Sequence, residues 1–308
     1  MKFSHYPVMK SEIIQALNID PDQIYCDLTL GGGSHAYEIV RRLNKGFLIA
    51  VDADAEAIEY SREKLREYKD KIFFFQSNFA DIKNIASNLR VEKIGGAVMD
   101  LGVSTHQIET ARGFSYIKDS ILDMRMNREQ KTNAADVVNT MDPDSLKNIL
   151  YTYGEERYAE LIVRAIVKKR QEKPIETTLE LVNVILYALR NVRYTGGNPA
   201  KRTFQAIRIF VNNEINNIKP TLDSVESMLV SGGRLAVISF HSGEDREVKK
   251  AFAEYEKTCV CPPGLPICVC GKKQTSKTLT KKPILPSRDE LEINKASASA
   301  KLRILMKL

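Results

Sequence analysis

No apolar run in this chain approaches the roughly 20 residues that crossing a bilayer requires, and residues 1–10 hold no apolar stretch of the kind a secretory leader carries. The expectation is a cytoplasmic protein with no membrane partner. Cysteine is scarce: five in 308 residues, four of them crowded between Cys259 and Cys270. The fifth, Cys26, lies inside an apolar run, where a thiol behaves as a small buried hydrophobe. Covalent catalysis through sulfur therefore has no evident residue to use. What remains is ordinary in bulk, 43% hydrophobic and 28% charged, which excludes wholesale disorder and suits one α/β domain with an insertion, or two domains.

The stretch that carries most information runs from residue 24 to residue 36. An apolar segment ends in Asp27-Leu28-Thr29-Leu30-Gly31-Gly32-Gly33-Ser34-His35-Ala36, and a second apolar run ends on Asp52. Strand, glycine loop, helix, strand and acid in that order suit a nucleoside: the glycines let the backbone approach the ligand, and a carboxylate at the second strand's tip accepts both ribose hydroxyls. Two cofactors fit. Gly31, Gly33 and Ala36 match the dinucleotide pattern G-x-G-x-x-A, the signature of a nicotinamide dehydrogenase. Asp27, Thr29, Gly31 and Gly33 also match the alternate positions of the methyl-donor loop acid-x-Gly-x-Gly-x-Gly, with Thr29 in place of the first glycine. Asp27 inside an apolar strand favours the second reading, because a buried carboxylate is costly without donors, and loop amides or a ligand ammonium would supply them. The cofactor expected is S-adenosylmethionine.

Short β-branched or aromatic runs at residues 24–28, 47–51, 72–75, 97–101 and 234–240 read as strands, with an amphipathic helix at 55–68 between the second and third. Such alternation implies a parallel sheet with right-handed crossovers. After Leu101 the strand rhythm stops, and helical periodicity takes over at 134–138, 145–150, 158–169, 178–189 and 201–218. The organisation expected is a methyltransferase domain in two parts, 1–107 and 218–308, around an all-helical insertion at 108–217. Segments 279–285 and 301–306 read as a final strand pair.

Charge is unevenly spread. Residues 145–208 carry 12 Lys or Arg against 6 Asp or Glu, and residues 271–308 carry 10 against 3, which leaves the nucleoside-binding remainder acidic. A polyanion such as RNA would account for both basic regions; solvated helix faces are the plainer explanation. Lys168, Lys169, Arg170, Lys201, Arg202 and Arg208 are the candidate phosphate contacts. A non-catalytic RNA-binding protein would explain these regions but not the framed loop, nor Asp100 at the end of the fourth strand. In amine-methylating enzymes a polar group at that edge meets the acceptor nitrogen, and Asp100 is placed for that role.

Taken in order, His5-Tyr6-Pro7-Val8-Met9, Gly31 to His35, Asp100-Leu101-Gly102-Val103-Ser104, Arg112-Gly113-Phe114-Ser115, Leu122-Asp123-Met124-Arg125-Met126, Thr203-Phe204-Gln205-Ala206-Ile207-Arg208 and Ser239-Phe240-His241-Ser242 span almost the whole chain. In these segments the sequence resembles the bacterial small-subunit ribosomal RNA cytosine-N4 methyltransferases called RsmH or MraW. The resemblance implies a Rossmann-like S-adenosylmethionine-dependent methyltransferase sheet with an inserted helical domain. It also implies methylation of the exocyclic amine of a decoding-region cytidine, with 16S rRNA or the small ribosomal subunit as partner. Carried over by matching motifs, the cofactor residues are Gly33, Ser34, His35, Asp52, Phe79, Asp100 and Gln107, joining Asp27 and Gly31 from the loop reading. Ser34 stands where glycine is common, Thr105-His106 replaces Ser-Pro, and Gly243 replaces a leucine.

Cytosine N4 has its lone pair delocalised into the ring, so the enzyme must orient it and accept its departing proton. Asp100 is the expected acceptor, and Ser239 and His241, at the end of the fifth strand, are candidates to position the base. The four clustered cysteines form two C-x-C arms across a proline–glycine turn. Cys259, Cys261, Cys268 and Cys270 could hold a structural zinc, form cross-arm disulfides or stay reduced. Both spacings are tighter than the common C-x₂-C, and the resemblance requires no metal.

Overall fold

A computed structural model describes residues 7–194, 197–262, 267 and 269–308. Seven strands form one sheet: β1 (Tyr25–Asp27), β2 (Leu48–Asp52), β3 (Ile72–Gln76), β4 (Ile94–Asp100), β5 (Leu229–Ser239), β6 (Ser276–Thr278) and β7 (Lys301–Lys307), in the order β3-β2-β1-β4-β5-β7-β6. β1 to β5 pair in parallel, and β7 and β6 close the far edge antiparallel. Alternate side chains fill two separate cores. Cys26, Ile49, Val51, Ala97, Met99, Leu235 and Val237 share one, while Tyr25, Leu48, Ala50, Val98, Ala236 and Ile238 share the other. That is period-two alternation with both sides apolar, so both faces of the sheet must be covered.

The first half of the chain contributes α1 (Lys10–Leu17), α2 (Ser34–Val40), α3 (Ala55–Lys64) and α4 (Ile82–Asn88). α3 starts where Asp54 accepts from the Glu56 N–H. It ends at Lys64, with a tighter helical stretch at Arg66–Lys71, instead of running unbroken through residue 68.

Contacts divide the chain into two units, one ending at Gly102 and resuming at Ile215–Leu308, the other Val103–Glu214. Their ends thus fall a few residues before the 108 and 217 read from periodicity. The second unit is helical: α5 (Thr105–Glu109), α6 (Ala134–Thr140), α7 (Pro143–Gly154), α8 (Ala159–Glu172), α9 (Thr178–Ala188) and α10 (Ala200–Asn212). Its own core includes Leu146, Ile149, Ile162, Ile166, Leu181, Ile185, Phe204 and Ile207. Three of its helices begin on a reciprocal cap, Ser104 with Gln107, Asn133 with Asp136 and Thr177 with Glu180.

The helix expected at 201–218 is two. Asn213 adopts φ 51° and ends α10, and α11 (Glu214–Met228) leads back to β5. After β5 come α12 (Ser242–Glu256) and α13 (Arg288–Ile293). The strand expected at 279–285 is a correction: β6 lies just before it, and within 279–285 the pairing with β7 is broken, the Leu279 N–H donating to Ile304 O at 2.9 Å and Ile284 forming an isolated bridge with Leu302. The backbone N–H of Ile304 is taken by Thr280 Oγ1, and Pro283 has no N–H to give a ladder.

Candidate functional site

β1 and β4 are neighbours in the sheet although β2 and β3 separate them in the chain, so the direction of growth reverses between them. The crevice beyond the carboxyl ends of such a pair is where open α/β sheets take ligands. Both strands end on a carboxylate, Asp27 and Asp100. The Asp100 N–H donates to Thr29 Oγ1 at 2.6 Å, tying the end of β4 to the loop that leaves β1.

That loop is closed by backbone and carboxylate together. The Gly33 N–H donates to Leu30 O at 2.8 Å, the Gly31 N–H to Asp52 Oδ2 at 2.7 Å, and the Asp54 N–H to Asp52 Oδ1 at 2.9 Å. Gly31 and Gly33 have φ of 49° and 69°, a region costly for other residues. A Cβ at Gly33 would also stand 2.8 Å from Ser61 Oγ. The Ser61 hydroxyl donates to Gly31 O at 2.9 Å, and Lys64 Nζ donates to Gly32 O at 2.6 Å and Ser34 Oγ at 3.2 Å. Ser34 opens α2 outside the positive-φ region, so a side chain is accommodated where glycine is common.

Asp27 is buried; its Oδ1 accepts from the Thr29 N–H at 3.3 Å and its Oδ2 has no hydrogen-bond partner. Burial pushes this carboxyl up to about 6, against the pull of His35 and the Thr29 N–H, and the charges of Asp100 and Asp52 add to the rise. His35, in the first turn of α2, is buried with neither ring nitrogen hydrogen-bonded. Its Nε2 lies 3.7 Å from Asp100 Oδ2, too far for a hydrogen bond but close enough for charge attraction. Burial alone would lower the imidazole pKa; Asp100, Asp27 and Glu290 outweigh it, and the net shift is upward.

Asp100 Oδ1 is also buried without a partner. Unpaired buried groups cost about 1–3 kcal/mol each. Two acid oxygens beside an imidazole suit a ligand that brings both donors and an anionic acceptor, as the ammonium and carboxylate of an amino acid do. Beyond β3, Phe79 sits in a tight turn over Phe79–Asp81, half-buried against the core, with Asn78 Oδ1 accepting from the Ala80 N–H at 2.9 Å.

The remaining expected residues lie on other elements. Ser239 is buried at the end of β5. His241 is the cap of α12: its Nδ1 accepts from the Glu244 N–H at 3.4 Å, and its Nε2 faces Glu244 Oε1 at 3.1 Å. Glu244 Oε2 in turn accepts from the N–H groups of Phe240 and His241 at 2.7 and 3.2 Å, which fixes the turn after β5 in spite of Gly243. Nδ1 is thus engaged in the cap, while Nε2 makes no hydrogen bond. Gln107 lies in the helical unit, where its Oε1 accepts from the Ser104 N–H at 3.0 Å.

In the helical unit, Arg208 is held by a two-pronged pair with Glu214, both contacts 2.9 Å. Arg170 donates to Val138 O at 2.9 Å, Arg202 to Glu155 O at 3.0 Å, and Lys169 pairs with Glu172 at 3.2 Å. Lys168 and Lys201 are exposed. The sulfurs of Cys259, Cys261 and Cys270 converge, whereas Cys268 lies outside the described residues, as do His5 and Tyr6.

The sequence assigned no contact at the site to Thr29, Ser61, Lys64, Glu244 or Glu290. Ser61 and Lys64 stand three apart on α3, one face of one helix, a spacing that could have been read. Glu290, whose Oε1 accepts from the Met9 N–H at 2.8 Å, carries no local signal.

A family model described as the MraW methylase family matches residues 2–308. A relative from Clostridium botulinum (strain Kyoto / Type A2), "Ribosomal RNA small subunit methyltransferase H", is 49% identical over 310 residues, covering 100% of both chains. A relative of the same name from Clostridioides difficile (strain 630) is 48% identical over 311 residues, again covering 100% of both.

Proposed function

The chain belongs to the MraW methylase family, and from that premise we propose that it is a cytoplasmic S-adenosylmethionine-dependent methyltransferase of small-subunit ribosomal RNA, acting on the N4 amine of a cytidine in the decoding region. The observation that carries the reading is the set of unpaired buried polar atoms on Asp27, His35 and Asp100 at the β1/β4 crevice. Membership of a methylase family favours methyl transfer over the hydride transfer that the glycine pattern alone also allows, and over RNA binding without catalysis.

S-adenosylmethionine supplies an electrophilic methyl group on a sulfonium sulfur. Asp27 would hold its ammonium and His35 its carboxylate, while Gly31 and Gly33 would let the backbone come close to it. Asp52, whose two oxygens accept from the Gly31 and Asp54 N–H groups at the tip of β2, would take the ribose hydroxyls. Phe79 offers a ring to the adenine. Asp100 would orient the cytosine amine by accepting a hydrogen bond from one of its N–H groups, and would take the proton released when the amine gains the methyl group and the sulfonium is left as a thioether. Ser239 lines the acceptor side, and His241 acts through the turn it caps.

Methylation at carbon 5 would need a thiolate adding to the ring. Cys26 is fully buried in β1, and burial, with the neighbouring Asp27 charge, pushes its thiol far up, so it is no such nucleophile. Lys168 and Lys201 are the exposed candidates for RNA phosphates in the helical unit.

The test is transfer of labelled methyl to small ribosomal subunits and to naked 16S rRNA, followed by digestion and mass analysis of the modified nucleoside. N4-methylcytidine formed by wild type, and reduced at least 100-fold with Asp100→Asn, is expected. A C5-methylated product, or no transfer to either substrate, overturns the reading.

A further inference from the structure

The connection between α12 and β6 is long, and among its described residues no apolar side chain is buried in a core. Its base is closed by the Thr275 N–H donating to Tyr255 O at 3.0 Å and the Thr278 N–H to Glu256 Oε1 at 2.7 Å. Above that base the described apolar residues face solvent: Val260 is 57% exposed, Ile267 75% and Val269 78%. A long connection whose described apolar residues face solvent gains little order from burial.

What the neck of the connection does contain is sulfur. One ligand atom each from Cys259, Cys261 and Cys270 lies within 4.8 Å of the others, and Cys259 Sγ stands 3.8 Å from Cys270 Sγ. Bonds of about 2.3 Å from a tetrahedral zinc put neighbouring sulfurs about 3.8 Å apart. Each sulfur also accepts a backbone amide. The Val260 N–H donates to Cys270 Sγ at 3.3 Å, the Cys261 N–H to Cys259 Sγ at 3.3 Å, and the Val269 N–H to Cys261 Sγ at 3.4 Å. Amides aimed at the three sulfurs help to fix their orientation toward one another.

We propose that Cys259, Cys261 and Cys270 form a thiolate site for zinc, and that the metal staples the two arms of the connection in place of a hydrophobic core. On binding, each of the three thiols gives up its proton to solvent and no electrons change hands. Three thiolates on Zn²⁺ carry one net negative charge, and Lys257, Lys272 and Lys273 flank the cysteines in sequence. The tight C-x-C spacing is accommodated because the amide of Cys261 turns back onto Cys259.

The full chain, reduced, supplied with zinc and desalted, should retain zinc at close to one per molecule by elemental analysis. Cys259→Ser and Cys270→Ser should fall to background while keeping the wild-type circular dichroism and affinity for S-adenosylmethionine. Cobalt in place of zinc should give the thiolate charge-transfer and visible bands of a tetrahedral sulfur site. If a variant fails to fold, the wild type decides: a chelator should strip the zinc and expose 257–275 to protease, and zinc, but not magnesium, should restore protection. Background zinc in the reduced wild type, undiminished zinc in both folded variants, or protease sensitivity indifferent to zinc overturns the proposal.

Discussion

Asp27 is under two opposing demands, burial in an apolar strand and readiness to face a cation. Its carboxyl, pushed up to about 6 by burial, binds more protons in the folded chain than in the unfolded one, so its contribution to stability falls as pH rises from about 4 to about 6 and is level beyond. A bound ammonium reverses the preference. Affinity for S-adenosylmethionine should therefore rise as pH climbs through about 6, and calorimetry below that value should register proton release on binding; Asp27→Asn should flatten the profile. Asp52 is the simpler case. Asp52→Ala removes the acceptor for the Gly31 N–H as well as for the ribose, and should cost roughly 1.5–3 kcal/mol of donor binding by titration calorimetry. Both acids were legible in the sequence because each ends an apolar run. The contacts of Thr29 and Glu290 were not, since a hydroxyl that holds Asp100 and an acid that holds Met9 meet their partners only when distant segments come together.

Among the elements, the glycine loop and the turn after β5 show how a local pattern becomes geometry. Gly33→Ala meets both a φ of 69° and Ser61 Oγ at 2.8 Å, so it should destabilise the protein by about 1–2 kcal/mol and weaken donor binding. His241→Ala should lower stability by about 1 kcal/mol in denaturant melts, as loss of a helix cap does, and leave affinity for S-adenosylmethionine unchanged; a reduced affinity would place the ring in the donor site instead. The strands at 25–27, 48–52, 72–76 and 94–100 could be read because a sheet covered on both faces needs apolar runs. The segment at 279–285 looked the same and is not a continuous strand, because Thr280 and Pro283 interrupt the ladder between the backbone bonds of Leu279 and Ile284 to β7. A side chain competing for a backbone N–H leaves no trace in hydrophobic periodicity.

On the scale of the whole molecule, charge is what the sequence distributes and pairing is what folding decides. Of six basic residues expected on RNA, Arg208, Arg170, Arg202 and Lys169 have protein partners, which leaves Lys168 and Lys201 as the exposed pair. Reversing both to Glu should weaken rRNA binding at low salt and reduce the slope of log affinity against log salt by about 0.7 per lost contact. Reversal at Arg208 should instead destabilise the helical unit through the stranded Glu214. The sequence by itself determined the α/β alternation, the helical interruption, the framed glycine loop and the family, because these rest on local pattern and on ordered motifs. The tertiary structure alone decided which polar groups stay unpaired at the β1/β4 crevice, that His241 is a cap, and that three sulfurs converge. Each of those depends on distances between residues far apart in the chain or on the turn the backbone takes, and neither is encoded in any single window of sequence.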